Sequence, residues 1–401
     1  MSRASIFDLL HQRQQPIEPV EEPSSARNDY DAGRLRLLDG VALTASGFVG
    51  AGAVPEAQSP ALSSSLHGPD GFRLLVHRIA DVMPVQELRL GRFEAKALRL
   101  HELVQTIVIE ALMMLESLPE DTAFDVVLTA PMRSPEAAAI VVEHLRAAIV
   151  ETQYASALGE IHRTSQDGDP HTVLGVGDSG GMPHVLWISA DSLLNDEDVA
   201  SMQHRRLLGR SSNSAGLYVG EAVIALLVQR LLPEDDGFDT GWQIEKGVTH
   251  DHPARATRRD HAKRQALIEL LSDAWPLAAT TSAAGFGDAE TSDASADEVG
   301  ASTSPARVVI DAMGLPGRAV EIGSALIERW PEIDMIDDGI GIDQFCGWPG
   351  EAVTALALAL AIAPLSPVES ALVLSVEGET RSTAWRLQSC AALAAQSGNH
   401  S

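Results

Sequence analysis

The chain has 401 residues, of which 45% are hydrophobic and 4% aromatic, and its formal net charge is −27. This apolar content is enough to build one large domain or two closely packed ones. The acidic charge disfavours binding to nucleic acid or to an anionic membrane, and the sequence lacks the basic, aromatic-rich patches of nucleic-acid-binding proteins. Two widely separated cysteines exclude a disulfide framework and suit a reducing compartment.

The N-terminus, "MSRASIFDLLHQRQQ", has no long apolar stretch and does not resemble a secretory signal. The longest apolar run lies around residues 352–363, and a membrane span needs about 20 residues. We therefore predict a soluble, cytoplasmic protein without a membrane span.

The first part of the chain predicts a leader followed by alternating elements. Residues 1–34 are rich in Pro, Glu and Ser and predict a flexible leader. "SPEAAAIVVEHLRAAIVE" places Ser134 before Pro135 and Glu136, which predicts an N-capped helix. The other predictions here are an irregular loop over 50–70, a helical pattern over 72–118, a strand over 124–131 and a polar break over 160–171.

The rest of the chain continues this alternation around one polar interruption. Residues 276–305 are small, polar and acidic, which predicts a disordered insertion or linker. The predicted elements are strands at 184–191 and 216–231, a helix at 261–275, a strand and a helix within 306–330, and one or two closing strands within 369–388. Alternating strands and helices favour a layered α/β fold.

The segment "CGWPGEAVTALALALAIAP" predicts a helix over residues 349–363 with Pro349 at its first position. Beyond Thr354 this helix has no polar face, so it must be covered on all sides. We expect a helical layer between two sheets.

The segment "HVLWISADSLLNDEDVASMQHRRLLGRSSNSAGLYVGEAVIALLVQ" resembles the β-ketoacyl synthase branch of the thiolase superfamily. "VVIDAMGLPGRAVEIGSAL", "CGWPGEAVTALALALA" and "SALVLSVEGETRSTAWRL" resemble later parts of the same fold. The matching positions are Asp191, Ser192, Arg206, Leu207, Asn213, Gly216, Gly220 and Glu221.

This resemblance implies a five-layer αβαβα fold of two similar halves around buried helices, commonly as a homodimer. The halves would span 35–275 and 306–395, the second being shortened. It also implies a nucleophilic cysteine on a buried helix just before residue 184, but residues 160–183 contain no cysteine. The family's two catalytic histidines would fall near 311–317 and 341–350, and neither stretch contains a histidine. We therefore expect the first half to lack the nucleophile and its helix, and residues 172–176, "TVLGV", predict at most a short strand.

Two weaker nucleophile candidates remain, and no catalytic residue is assigned. Cys346 precedes the apolar helix, where a helix N-terminus can activate a thiol, but packing is the favoured interpretation. Ser179 lies in "GDSGG", which fits the G-x-S-x-G pattern of a nucleophile elbow, but no helix is predicted after it, so a glycine-rich turn is favoured.

Neither cluster of possible metal ligands has a spacing that fixes a site. His250 and His252 would share one face of a strand, with Asp251 or His261 as further ligands, and a polar surface segment is the favoured alternative. An acidic loop contains Asp334, Asp337, Asp338 and Asp343 without EF-hand spacing. Phosphate- and dinucleotide-binding motifs are missing, so we predict no cofactor and no metal.

The sequence therefore predicts a catalytically inactive, thiolase-like protein that acts as a binding or scaffold module. By analogy with the family, it would be an accessory protein of a bacterial type VI secretion effector. One alternative is an acyl-transfer or condensing enzyme that uses Cys346, and another is a non-catalytic binder of acyl chains.

Overall fold

The computed structural model describes residues 30–398, except 32, 51, 86–88, 165–167, 176–180, 210–215, 236–237, 239, 254–260, 277–303 and 368. Nearly all of the predicted leader and of the predicted insertion lies outside these described residues. Both segments stay predictions.

The strands form one large mixed sheet and a separate hairpin. The described strands are β1 Leu35–Thr44, β2 Gly47–Val49, β3 Ala61–His67, β4 Arg73–Val76, β5 Phe124–Thr129, β6 Leu158–Thr164, β7 His184–Ser192, β8 Glu221–Arg230, β9 Trp242–Ile244, β10 Val248–Asp251, β11 Arg307–Ile310, β12 Gly339–Gly341, β13 Ala371–Ser375 and β14 Arg381–Ser389. The hairpin consists of β3 and β4.

The helices lie mostly in the connections between these strands. The described α-helices are α1 Leu90–Phe93, α2 Ala97–Met114, α3 Pro135–Val150, α4 Pro170–Leu174, α5 Asp196–His204, α6 His261–Ala274, α7 Arg318–Arg329, α8 Asp343–Cys346, α9 Val353–Ile362 and α10 Cys390–Gly398. Helix α3 begins as predicted, because the Ser134 side chain accepts a hydrogen bond from the backbone N–H of Ala137.

The large sheet contains the same strand order twice. One half runs β6-β5-β7-β8-β1 and the other β12-β11-β13-β14-β9, so each half places its first strand next to its last. The halves join where β1 pairs antiparallel with β9, from Leu35 opposite Ile244 to Leu37 opposite Trp242. β10 continues β9 along β14.

Three hydrophobic clusters, separated by the two halves of the sheet, make five layers. Helices α2 and α3 pack on one face of the first half, and α6 and α7 pack on the outer face of the second. Strand β8 serves two clusters, with Ile224 and Leu226 facing inward and Val223 and Leu227 facing α2 and α3. This arrangement confirms the predicted layered α/β fold.

Helix α9 forms the middle layer. Every one of its side chains is buried, and it packs against β1 and β8 of one half and β11 and β13 of the other. The helix begins at Val353, after a 3₁₀ turn at Gly350–Ala352, and not at Pro349 as predicted. Gly350 has φ +59° and cannot continue a right-handed helix.

Four local predictions were wrong. The loop predicted over 50–70 contains β3, and the helical pattern over 72–118 starts as β4 and is continuously helical only in α2 and the short turn after it. The polar break at 160–171 contains most of β6, an edge strand whose outward residues are polar and therefore hide the apolar signal. The short strand predicted at "TVLGV" is instead part of helix α4, which Pro170 starts.

Within the described part of the chain, each helix is too short or too polar to cross a membrane.

The central position of α9 predicts a large cost for truncating its side chains. We expect Leu358→Ala to lower the free energy of unfolding by about 2–5 kcal/mol, since Leu358 is fully buried and truncation would leave a cavity that its neighbours fill only in part. Leu62→Ala is the matched control, because Leu62 is 66% exposed and its loss should cost at most about 0.5 kcal/mol. Urea unfolding followed by circular dichroism measures both, and equal losses would contradict the central placement.

Candidate functional site

Among the described residues, a wide cleft lies where the carboxyl ends of β5 and β7 meet the start of the central helix. Its volume is about 1020 Å³. The floor includes Trp348, Met132 and Met202, and the walls carry charged residues from the segments that precede α2, α3 and α5. In open and layered α/β sheets such a position, beyond the ends of parallel strands, is a common place for a site.

Lys96 lies between two carboxylates of this cleft. Its Nζ is 2.9 Å from Oδ1 of Asp191 and 3.0 Å from Oδ2 of Asp198. Burial lowers the pKa of Lys96, but the two carboxylates outweigh burial and the net direction is upward. Lys96 therefore stays an ammonium ion and is unsuited to act as an amine nucleophile or a general base.

A second, deeper ion pair supports the first. Glu221 is fully buried, and Arg99 donates to both of its oxygens, at 3.0 Å from Nε and 2.6 Å from an Nη. The Ser192 hydroxyl and the backbone N–H of Ile79 also donate to Glu221. These partners fill the hydrogen-bonding capacity of the carboxylate. Glu221 therefore has a structural role, since it holds the ends of β7 and β8 against α2.

The helix N-termini that face the cleft are each occupied by a side chain of the protein itself. At the start of the central helix, Asp191 Oδ2 accepts a hydrogen bond of 2.9 Å from the N–H of Glu351. Before α3, Glu94 accepts from the N–H groups of Arg133 and Ser134 at 2.8 and 3.1 Å.

Helix α5 is capped by Asn195, whose side-chain oxygen accepts from the N–H of Asp198, and its first turn carries three acidic residues. Helix N-termini are ready-made anion sites. Here side chains of the protein itself already accept from N–H groups at or just before each of these helix starts.

The second-half loops in which the family's histidines would fall meet at Asp343. Its Oδ2 accepts from the N–H of Gly314 at 2.5 Å, and the N–H of Met313 also bonds to this carboxylate. Burial raises the pKa of Asp343, although these N–H groups oppose the shift. The junction is therefore built from a buried acid and backbone N–H groups.

His77 lies beside this junction and was missed by sequence reasoning. It is 3% exposed and packs near Gly347 and Tyr218. Burial lowers the pKa of His77 to about 4, so the ring is neutral at pH 7 and a weak proton acceptor. Its surroundings are backbone and apolar groups, which a sequence pattern does not reveal.

Cys346 is fully buried at the end of the short helix α8 and not at the N-terminus of α9. Its Sγ lies 3.3 Å from the carbonyl oxygen of Gly347 and 3.7 Å from that of Ile342. Burial raises the pKa of the Cys346 thiol well above its ordinary value, and the negative charge of Asp343 raises it further. This environment favours the thiol over the thiolate that a nucleophile needs.

The backbone of Cys346 makes a tight contact that explains why residue 220 is a glycine. A methyl group added at Gly220 would overlap the carbonyl oxygen of Cys346. The N–H of Trp348 donates to the carbonyl of Tyr218 at 2.8 Å, and Gly347 has φ +64° against the same carbonyl. The segments 218–220 and 346–348 thus run side by side and hold the two halves together next to the cleft, which Trp348 lines.

Ser179 and Asn213 lie outside the described residues. What is described of the stretch before β7 is the five-residue helix α4. Asp169 accepts from the indole N–H of Trp385 at 2.9 Å, and Leu174 accepts from Arg230 at 2.8 Å, so both ends of α4 are held to strands.

The predicted metal-ligand clusters do not assemble among the described residues. His250 Nε2 lies 2.9 Å from Asp273, whereas His252 is buried, 3.0 Å from the hydroxyl of Ser382. The side chain of His261 is not described. Asp338 accepts from the N–H of Asp334 in a surface turn, away from the Asp343 junction. The part of the chain that the structure describes holds no group of three or more potential metal ligands.

The sequence matches no protein-family model and no curated protein. Solved structures do match. A type II polyketide ketosynthase in complex with its acyl-carrier protein (AntDE:AntF) is 10% identical, with 89% of this chain and 99% of that chain covered and a TM-score of 0.51. The PfaC ketosynthase–chain length factor is also 10% identical, with 90% and 43% covered and a TM-score of 0.51. This likeness shows that the chain has the thiolase-like fold of β-ketoacyl synthases.

The Gly220–Cys346 contact predicts that the smallest side chain is too large at position 220. We expect Gly220→Ala to lower the free energy of unfolding by about 1–3 kcal/mol, because the backbone opposite cannot yield without shifting a strand end. Gly323→Ala is the control: it lies inside α7 with open space around it, and should be neutral or stabilising by up to about 1 kcal/mol. Chemical denaturation measures both variants, and a larger loss of stability in Gly323→Ala than in Gly220→Ala would contradict the prediction.

Asp311, at the end of β11, predicts a pH-dependent stability. Burial raises its pKa to about 7, although the N–H of Val376 and the hydroxyl of Ser375 oppose the shift by bonding to it. The folded protein therefore binds this proton more tightly than the unfolded chain, and the associated stability is lost as the pH rises from about 4 through 7.

Asp311→Asn cannot titrate and should remove this slope. We expect its stability relative to the parent protein to rise between pH 4 and pH 8 by up to about 4 kcal/mol, which corresponds to about three pKa units. Denaturant unfolding across this pH range measures the difference. A constant difference between the two proteins would exclude a raised pKa at Asp311.

Proposed function

We propose that this protein is a non-catalytic, thiolase-fold binding or scaffold module. One observation carries the proposal: backbone N–H groups at the helix starts that face the cleft are bonded to Asp191, Glu94 and Asn195. Acyl transfer needs N–H donors that are free to stabilise an oxyanion, and a filled donor cannot do so.

The thiol chemistry supports the same proposal. The chain has two cysteines, both buried, and burial raises the pKa of each. No hydrogen bond links His77 to the Cys346 thiol, which instead contacts two backbone carbonyls. A condensing enzyme that uses Cys346 would need the opposite environment, an activated thiolate beside a base.

The proposed module is a homodimer that pairs through β6, one of the two edge strands of its large sheet. Strand β6 bonds to β5 on one side only among the described strands. An unpaired edge is a template for a second strand, and two-fold pairing of two β6 edges gives a closed dimer. The accessory role with a secretion effector and the cytoplasmic location stay predictions from the sequence.

A thioester-labelling experiment tests the absence of catalysis. The folded protein, incubated with acetyl- and malonyl-thioesters, should show no acyl adduct by intact mass spectrometry, and iodoacetamide at pH 7.5 should modify neither cysteine. After denaturation in guanidinium both cysteines should react, because the protection comes from burial. A thioester adduct that disappears in Cys346→Ala would overturn the proposal in favour of the condensing enzyme.

A further inference from the structure

We propose that the cleft at the start of the central helix binds an extended, basic peptide segment of a partner protein. This inference rests on the proposed binding function and names the chemistry of its ligand. Its first support is the balance of charge on the cleft wall. Six carboxylates line it against four cationic side chains. The carboxylates are Glu94, Asp191, Asp196, Glu197, Asp198 and Glu351.

The cationic side chains of the cleft are already engaged by groups of the protein. Lys96 is shared by Asp191 and Asp198, Arg133 pairs with Glu197, and Arg205 pairs with Glu377 outside the cleft. Arg163 donates to the carbonyl of Met132. An anionic ligand would have to displace these pairs, whereas a cationic ligand meets an excess of negative charge.

The hydrogen-bonding groups show the same preference. Glu94 and Asp191 accept from backbone N–H groups of Arg133, Ser134 and Glu351 that an anion could otherwise use, so carboxylates stand at these helix starts. The net charge of −27 extends this field over the whole molecule and attracts cationic partners over distance.

The apolar floor distinguishes a peptide from a small cation. Met132, Met202 and Trp348 lie beneath the charged rim. Methionine side chains adapt to varied apolar groups, and an indole can also accept a guanidinium against its face. A volume of about 1020 Å³ exceeds the space that a single cationic side chain fills. Alternating basic and apolar side chains in an extended segment meet both the rim and the floor.

Fluorescence polarisation with a short fluorescein-labelled peptide of alternating leucine and arginine tests this inference on the full chain. We expect saturable binding that weakens with salt, and none for the same peptide with glutamate in place of arginine. In the double variant Asp196→Asn with Glu197→Gln, the affinity should fall about tenfold, as expected for the loss of two exposed charges. The matched control, Glu116→Gln with Glu120→Gln, removes the same charge outside the cleft and should bind like the parent protein.

Three results would overturn the inference. One is equal binding of the glutamate peptide, and another is an equal loss of affinity in the control variant, which would mean a general charge effect. The third is spermidine competing as well as the leucine–arginine peptide itself, which would leave no part for the apolar floor. The thioester experiment does not depend on any of these results, so failure here leaves the absence of catalysis standing.

Discussion

The architecture depends on the burial of one helix that has no polar face. Helix α9 has apolar side chains on all of its faces, and water must be excluded from every one of them. The two halves of the sheet exclude it, through contacts of the helix with strands β1, β8, β11 and β13. This requirement also brings the start of the helix to the ends of β5 and β7, which is where the cleft forms. The position of the site is thus a consequence of packing.

Sequence patterns predicted those parts of the fold whose signal is local. The unbroken run of Ala and Leu before Pro364 predicted the central helix, and Ser134 with Pro135 predicted the start of α3. The edge strand β6 was missed, because one of its sides faces solvent and its residues resemble a loop. Its hydrogen bonds to β5 come from residues about 35 positions away, beyond the reach of a window on the sequence.

The candidate site was less predictable than the fold. Lys96 and Asp191 are 95 positions apart, and no spacing rule connects them. Asp191 and Glu221 were noted only through the resemblance, and Glu94 was not noted at all. The helix start at Asn195 was not predicted, although an N-cap residue followed by an acidic first turn is a local signal that could have pointed to this cleft.

The closest contact at position 346 is made by the backbone of Cys346 and not by its thiol. The thiol makes weak contacts with two carbonyls, whereas its own carbonyl lies directly against Gly220. Glycine at 220 and the left-handed turn at Gly347 both serve this close approach of two chain segments. Position 346 suits a small side chain that does not need a strong hydrogen bond when buried, and cysteine is such a side chain.

The join between the two halves has a consequence for how the chain acquires its structure during synthesis. Strand β1 is made early and its end pairs with β2, but its other partners are β8 and β9, and Leu35 pairs with both Arg230 and Ile244. A nascent chain must therefore hold most of this ten-residue strand without those later neighbours until about two hundred further residues have left the ribosome. During that interval the part of β1 before Ala42 is an unpaired edge that can associate with other chains, so we expect the yield of folded protein in a cell to depend on the rate of translation and on chaperones that cover this strand.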